Sequence, residues 1–442
     1  MKVTVKPSLH ASWIDRDAYD IVKRLQAKGH QTYLVGGCVR DLLCEVHPKD
    51  YDIATSALPN EIRKLIHGSY VIGKRFRLVL VKRGDQQFEV ATFRRSGRAE
   101  DFTEGEDAPI GDNFFGTCEE DAIRRDFSMN ALFYDPVKEE LLDYPNGLKD
   151  VENRILRMIG DPATRIQEDP IRSLRALRLS HKLKFKIDTE LRQAIADHSD
   201  WVAKSVLPRR REEYLKILRL KEPVAAFLEM WDLNLLQICL PGLIPIFANP
   251  ERQQRFLTAL ARANDYILDP SNPVELYVPF VLAVREAFGD DGWSGEEEEA
   301  FYRLEMGIFK AEWAEIESGL QFRQRLYDID HFRRRGQRRQ QAFVHHPALP
   351  MALRMLAYEF ELSPQLVQFW VDRLNAVPMP PPPPRGKNKD SQNEKPQDDD
   401  LEVSDDDLTL GGQLDEPADP LEAASSLPAE TAAPATRPNP TN

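Results

Sequence analysis

At 442 residues, 42% of them hydrophobic, the chain is long enough for two or three domains and a large core. Its formal net charge of −13 speaks at first against a nucleic-acid partner, yet residues 380–442 alone hold 14 acidic and 5 basic side chains, which leaves about −4 for the rest and room for local basic patches. No apolar run approaches the ~20 residues of a membrane span, residues 1–30 lack the apolar centre of a secretion signal, and the four cysteines stand in no metal-ligand spacing, so a cytoplasmic protein with reduced thiols is expected.

The chain opens on an irregular arm. Ala18, Ile21, Val22 and Leu25 then predict an amphipathic helix over 15–28. Residues 33–55, YLVGGCVRDLLCEVHPKDYDIAT, predict a strand, a turn at Gly36 and Gly37, a helix over 38–44, a stop at Pro48 and a second strand from Asp50. Residues i and i+2 of a strand share a face, so Asp50 and Asp52 present two carboxylates side by side. Such a pair repels itself unless a hard cation intervenes. Mg²⁺ suits it, because it takes oxygen ligands and shares its shell with substrate phosphates. The glycine turn offers backbone N–H groups at a helix start, a ready anion site. Arg40, one turn on, adds a fork of donors for phosphate oxygens. Singly, Gly-Gly reads as an ordinary turn and Asp-x-Asp as a solvated strand end. Together in one unit they describe a nucleoside triphosphate with its metals.

GGCVRDLL followed by KDYDIAT resembles the first motif of the class II nucleotidyltransferases, the family of tRNA CCA-adding enzymes and bacterial poly(A) polymerases, and the resemblance runs through most of the first half of the chain. It implies an α+β architecture: a polymerase-β-like nucleotidyltransferase head on a mixed sheet, then an all-α neck and body, then a disordered tail. The expected boundaries are an arm and helix at 1–30, the catalytic head at 31–155, a nucleobase-selecting neck at 156–220, an RNA-binding body at 221–377 and a Pro-rich linker with an acidic tail at 378–442. The implied chemistry is two-metal phosphoryl transfer, with Asp50 and Asp52 holding two Mg²⁺ ions, ATP as substrate and an RNA 3′ end as acceptor. Gly36, Gly37 and Arg40 face the triphosphate in this reading.

Further along, a helix is expected from Pro59 to about His67, and strands at 70–72, 78–81 and 88–93 with a turn at Gly84 and Asp85. Glu89 on the last strand reads equally as a third active-site carboxylate and as an outward-facing charge. Residues 95–118 read as a flexible loop. Glu120 to Asn130 reads alone as a surface helix with internal ion pairs. It also resembles the family's RRDFxxN motif, which implies that Arg125 contacts the nucleotide and that Asp126 joins the active-site acids. A turn-rich hinge over 143–150 follows, and Ile155, Leu156, Met158 and Ile159 are expected to pack between head and neck.

In EDPIRSLRALR, local chemistry alone makes Asp169 a helix cap, Pro170 the first helical residue and Arg172, Arg175 and Arg178 a solvated face. A carboxylate acceptor beside a guanidinium donor also matches the pairing edge of adenine or cytosine and rejects guanine and uracil. Asp169 and Arg172 match the family's EDxxR motif, which implies a protein template for the incoming base, with Arg175 assisting. Beyond residue 180 the pattern is almost wholly helical. Residues 208–218, with a basic start, resemble the family's last, weaker motif. Glu296 to Glu299 reads as a solvated face. Arg333, Arg334, Arg335, Arg338 and Arg339 form the densest basic cluster, read as contacts to RNA phosphates in preference to a plain solvated surface.

Residues 71–78, VIGKRFRL, resemble the poly(A) branch, although the histidine usual there near Leu80 is missing and the tail is acidic where that branch is often basic. The expected activity is therefore addition of AMP from ATP to RNA 3′ ends. A CCA-adding (or A- or CC-adding) enzyme is the alternative, and a non-catalytic RNA-binding relative is the rival from another class. The acidic tail is a candidate surface for a protein partner.

Overall fold

The head is built around a sheet whose central strands are buried on both faces. The computed structural model describes residues 3–376, apart from 8, 10, 74–77, 98–113, 265, 266, 268, 290, 291, 294 and 359–363. The centre of the VIGKRFRL segment, most of the loop expected at 95–118, and the linker and tail at 378–442 thus lie outside the described residues.

In chain order the head's strands are β1 (Val3–Val5), β2 (Thr32–Val35), β3 (Asp52–Thr55), β4 (Ser69–Ile72), β5 (Leu78–Arg83), β6 (Gln86–Thr92), β7 (Arg94–Arg95), β8 (Phe114–Phe115), β9 (Leu132–Asp135) and β10 (Glu140–Asp143). Eight of them form one sheet in the order β1-β10-β9-β2-β3-β6-β5-β4, while β7 and β8 pair separately. The sheet is mixed. Its neighbours are antiparallel except β3 and β6, whose parallel register sets Asp52 against Glu89. Antiparallel pairing of β2 and β3 sets Val35 against Asp52.

On one face Leu34, Ile53, Val79, Val81 and Val90 pack against the helices Arg16–Gln26 and Pro59–Leu65. The first helix starts where the sequence predicts, because the Asp15 carboxylate accepts hydrogen bonds from the backbone N–H of Asp17 (2.8 Å) and Ala18 (3.1 Å). On the other face Val35, Ala54, Phe93, Ala122 and Phe133 form a second cluster, with Tyr33 against it. Asp52 and its neighbour Glu89 sit at the edge of this second face.

Head and neck are stitched by backbone hydrogen bonds. Ser128 N donates to Arg157 O and Ile159 N to Asp126 O, each at 3.0 Å. The short strand Ile155–Leu156 (β11) pairs in parallel with Lys186–Ile187 (β12) across the helix Ile171–Leu183. At the hinge Gly147 is packed so closely that a Cβ would lie 2.1 Å from the Ser128 carbonyl oxygen. Among the described residues beyond 160, every element but β12 is helical. Around Phe322, Phe332, Phe343 and Trp370 the body closes a hydrophobic cluster of its own.

One expectation fails here. The acidic run at 296–299 is not wholly solvated: Glu298 is buried and accepts from Arg285 Nε and Nη2 at 2.7 and 2.6 Å. Burial of a carboxylate requires such a partner.

Candidate active site

Alternation carries the first acids. Tyr51 and Ile53 point into the core, and Asp50 and Asp52 remain exposed on the opposite side. Asp50 lies just before β3, whose first residue is Asp52. The Asp52 carboxyl is pushed up to about 6. Desolvation in the recess behind Gly36 is the largest cause, followed by the Glu89 charge, and Asp50 adds to it while Arg125 opposes. Glu89, left open between two roles by the sequence, is therefore the acid that bears most strongly on Asp52.

Gly36 makes the recess possible. Its φ is +73° and it precedes the helix Gly37–Leu43. A Cβ at Gly36 would stand 3.4 Å from both Arg125 Nη1 and Asp52 Oδ2. A carboxylate, a guanidinium and a backbone turn thus converge where no side chain intrudes. Arg125 is set by Asp121, which accepts from its Nε and Nη2 at 3.3 and 3.0 Å, and by the Asn130 carbonyl at 3.2 Å, with its guanidinium over the Phe133 ring. Asp121 is buried; desolvation raises its carboxyl, but Arg125, Arg124 and the Arg94 backbone N–H outweigh this and hold it below the usual range.

Two residues expected at the site are held by partners of their own. Arg40 is buried, with Nε and Nη2 donating to Asp41 Oδ1 (2.9 and 2.6 Å) and Nη1 to Asn130 Oδ1 (2.7 Å). Through these partners it braces the motif from behind. Asp126 is not gathered with Asp50 and Asp52. Its Oδ1 accepts from the Phe127 backbone, and its Oδ2 lies 2.9 Å from Arg175 Nη2, off the hydrogen-bonding line. The pair is a charge clasp between head and neck, and it takes Arg175 with it.

The EDxxR segment also departs from its expected geometry. The helix begins at Ile171, with Pro170 before it, so the Asp169 side chain caps nothing. Asp169 is instead held by Arg209, at 2.9 Å for both Nη1–Oδ1 and Nη2–Oδ2. Arg172 Nη1 donates to Arg165 O (2.7 Å) and Glu168 Oε2 (3.1 Å). Arg165 in turn donates to the carbonyls of Arg124 and Arg125, tying this segment to the RRDF stretch. Arg209 and Arg165 were not singled out in the sequence. The basic start at 208–211 was visible, but a partner 40 positions away was not.

A cleft of about 1550 Å³ opens beside Asp50 along the neck, lined by Lys49, Arg178, Lys182, Lys184, Lys186 and Arg219 among others. This basic wall was also missed, because its lysines come singly from several elements. The cluster Arg333, Arg334, Arg335, Arg338 and Arg339 lies elsewhere. Arg333 sits over Phe369 and Arg335 over Phe343, on the hydrophobic cluster of residues 322–370, and none of the five lines the cleft.

The donor set fits a hard cation. Burial raises the Asp52 carboxyl most, and the Glu89 and Asp50 charges add to it, a repulsion that a divalent ion bound to oxygens removes. Among the described residues no three His, Cys, Asp or Glu side chains close on one point.

Fold and site together define a nucleotidyltransferase head on a helical neck. Residues 32–157 match the poly A polymerase head domain, and residues 184–247 match the probable RNA and SrmB-binding site of polymerase A. The chain thus carries two segments characteristic of the class II nucleotidyltransferase family of poly(A) polymerases and CCA-adding enzymes. It is 37% identical over 279 residues to poly(A) polymerase I of Haemophilus influenzae, covering 60% of this chain and 61% of that one. It is 38% identical over 240 residues to poly(A) polymerase I of Salmonella typhi (53% and 52% covered) and 38% over 200 residues to a CCA-adding enzyme of Lactobacillus helveticus (45% and 49%). The match thus spans about half to three fifths of these relatives' length. The Bacillus stearothermophilus CCA-adding enzyme in complex with CTP superposes with a TM-score of 0.62 at 26% identity, over 81% of this chain and 82% of that one. The Thermotoga maritima CCA-adding enzyme complexed with tRNA, at 21% identity and a TM-score of 0.56 over 85% and 87% of the two chains, shares the fold. No helix of the described residues is long and apolar enough to cross a membrane.

Proposed function

We propose that the protein is a template-independent polynucleotide adenylyltransferase, transferring AMP from ATP to RNA 3′ ends with release of pyrophosphate, as in mRNA polyadenylation. The observation that carries the transfer chemistry is the convergence of Asp52 and Arg125 on the side-chain-free turn at Gly36, with Glu89 beside Asp52 on the next strand. The 279-residue match to the Haemophilus influenzae poly(A) polymerase I supports adenylate as the product.

Asp50 and Asp52, with Glu89 behind them, would hold Mg²⁺, two ions in this reading. When bound, the metal supplies neutralisation of charge between acids and triphosphate. Arg125 binds phosphate oxygens, and the Gly36–Gly37 backbone lets them approach. The RNA 3′ oxygen forms its bond to the α-phosphorus while the bond to the β-phosphate oxygen breaks. Asp169 and Arg172 read the base edge as acceptor and donor. The lysine-lined cleft beside Asp50 carries the RNA backbone, and Arg333, Arg334, Arg335, Arg338 and Arg339 remain a second, more distal phosphate contact. We place the enzyme in the cytoplasm, in keeping with its reduced cysteines, and retain the acidic tail as a candidate protein-binding segment.

A second reading, CCA addition to tRNA, is supported by the superposition on a CCA-adding enzyme with CTP and by the Lactobacillus relative. One assay separates the two. Purified protein receives a tRNA lacking its CCA end and an unstructured RNA, each with ATP, CTP or both. Long adenylate tails on both RNAs are expected. Growth that stops at three nucleotides on tRNA alone replaces adenylation by CCA addition. Magnesium-independent RNA binding without incorporation removes both.

A further inference from the structure

We propose that Arg209 is a gate over the base-reading carboxylate: it pairs with Asp169 and must be displaced by the incoming nucleobase. The proposal rests on the reading of Asp169 as the acceptor for the base amino group.

The geometry is an end-on fork. Both Asp169 oxygens face Arg209, Nη1 to Oδ1 and Nη2 to Oδ2, each at 2.9 Å. An adenine or cytosine edge must lie near the carboxylate plane for its amino group to donate there while its ring nitrogen accepts beside it. That approach is where the Arg209 guanidinium lies. Arg172 is anchored through Nη1 by Arg165 O and Glu168 Oε2, so a base can meet only its other nitrogens, while the acceptor beside it is covered. The donor–acceptor pair is therefore not open to a base in this arrangement.

Displacement is cheap enough to happen in each cycle. The Arg209 side chain is 52% exposed and that of Asp169 22%. A pair this open is screened by water and salt, and a released guanidinium finds water at once. Arg209 comes from the first turn of the helix Leu207–Leu218, 40 positions along the chain, so its swing moves neither Asp169 nor the helix that Asp169 precedes. The amino group of adenine or cytosine replaces a donor with a donor. Arg209 thus acts as an internal competitor for the base site, weakening nucleotide binding without taking part in transfer.

The test uses the full chain. ATP affinity is measured calorimetrically with Mg²⁺ and without RNA for wild type, Arg209→Ala, Arg209→Lys, Asp169→Ala and the double variant with alanine at both positions. Removal of the guanidinium is expected to tighten ATP binding about two- to fivefold, the range of a half-exposed ion pair, with Arg209→Lys between it and wild type. In steady state the KM for ATP falls while kcat on an RNA oligonucleotide holds, and GTP and UTP stay rejected. In the Asp169→Ala background, Arg209→Ala is expected to leave ATP affinity unchanged. Unchanged or weaker ATP binding in Arg209→Ala, or an equal effect with and without Asp169, overturns the gate. Incorporation of GTP or UTP by Arg209→Ala also overturns it, making Arg209 part of the reader. If Asp169→Ala keeps the preference for A over G and U, the base-reading assignment falls and takes the gate with it. If Asp169→Ala loses that preference and no coupling appears, the gate alone falls.

Discussion

Of the three acids, Asp52 stands at Gly36, and the charges of Glu89 and Asp50 act on it from beside. Asp50 and Asp52 stand two positions apart, although only Asp52 lies on β3, whereas Glu89 needed the parallel register of β3 and β6. Loss of either aspartate is expected to reduce single-nucleotide incorporation on the order of 100-fold or more, the scale of removing a preorganised charged group, with circular dichroism unchanged. Full turnover by Asp52→Ala would end the reading. Gly36→Ala forces a side chain into φ +73° and against Arg125 and Asp52. It is expected to cost about 1–3 kcal/mol and to lower incorporation, checked by thermal melts beside the assay. Asp121 allows a pH test. Its folded value is depressed by Arg125 and Arg124 against desolvation, so its contribution is present above the unfolded value and is lost as pH falls through the folded one. The stability gap between wild type and Asp121→Asn should hold from pH 7 to about 5 and shrink below about 4. A gap that widens on acidification contradicts the sign.

At the scale of elements, helices and strands followed their sequence signals closely: Asp15 before the first helix, and the Gly84 turn between β5 and β6. What the sequence did not supply was the partner of each side chain within these segments. Arg40, Asp126 and Asp169 all occupy the expected chain positions, yet each carries a partner from a distant stretch: Asn130, Arg175 and Arg209. Charged side chains in a recess take the nearest opposite charge the fold supplies, and motif spacing is silent about that. The neck lysines follow the same logic. Changing Lys184 and Lys186 to Glu should raise the KM for RNA several-fold and flatten its salt dependence, by a slope of about 0.7 for each RNA phosphate no longer neutralised. ATP affinity should not move. An unaltered RNA salt slope would take the RNA path out of this cleft.

Across the whole molecule the described fold ends on the helix Pro364–Ala376, where Trp370 is buried and its indole N–H donates to Leu326 O at 3.0 Å. A chain cut after residue 377 is expected to retain stability and nucleotide addition, and one cut after 363 to lose the cluster around Phe332 and Phe343. Trp370→Ala should cost about 3–5 kcal/mol, read by chemical denaturation. A cut at 377 that abolishes addition would give the acidic tail a catalytic part.

By itself the sequence determined the order of head, neck and body, the two adjacent aspartates and the glycine turn, because these depend on local periodicity and backbone freedom. Tertiary structure alone decided that Glu89 stands beside Asp52, that Asp126 clasps Arg175, and that Arg209 covers Asp169. Those are encounters between segments tens of residues apart, set by strand register and helix packing, and no local pattern encodes which charge a fold will bring to which.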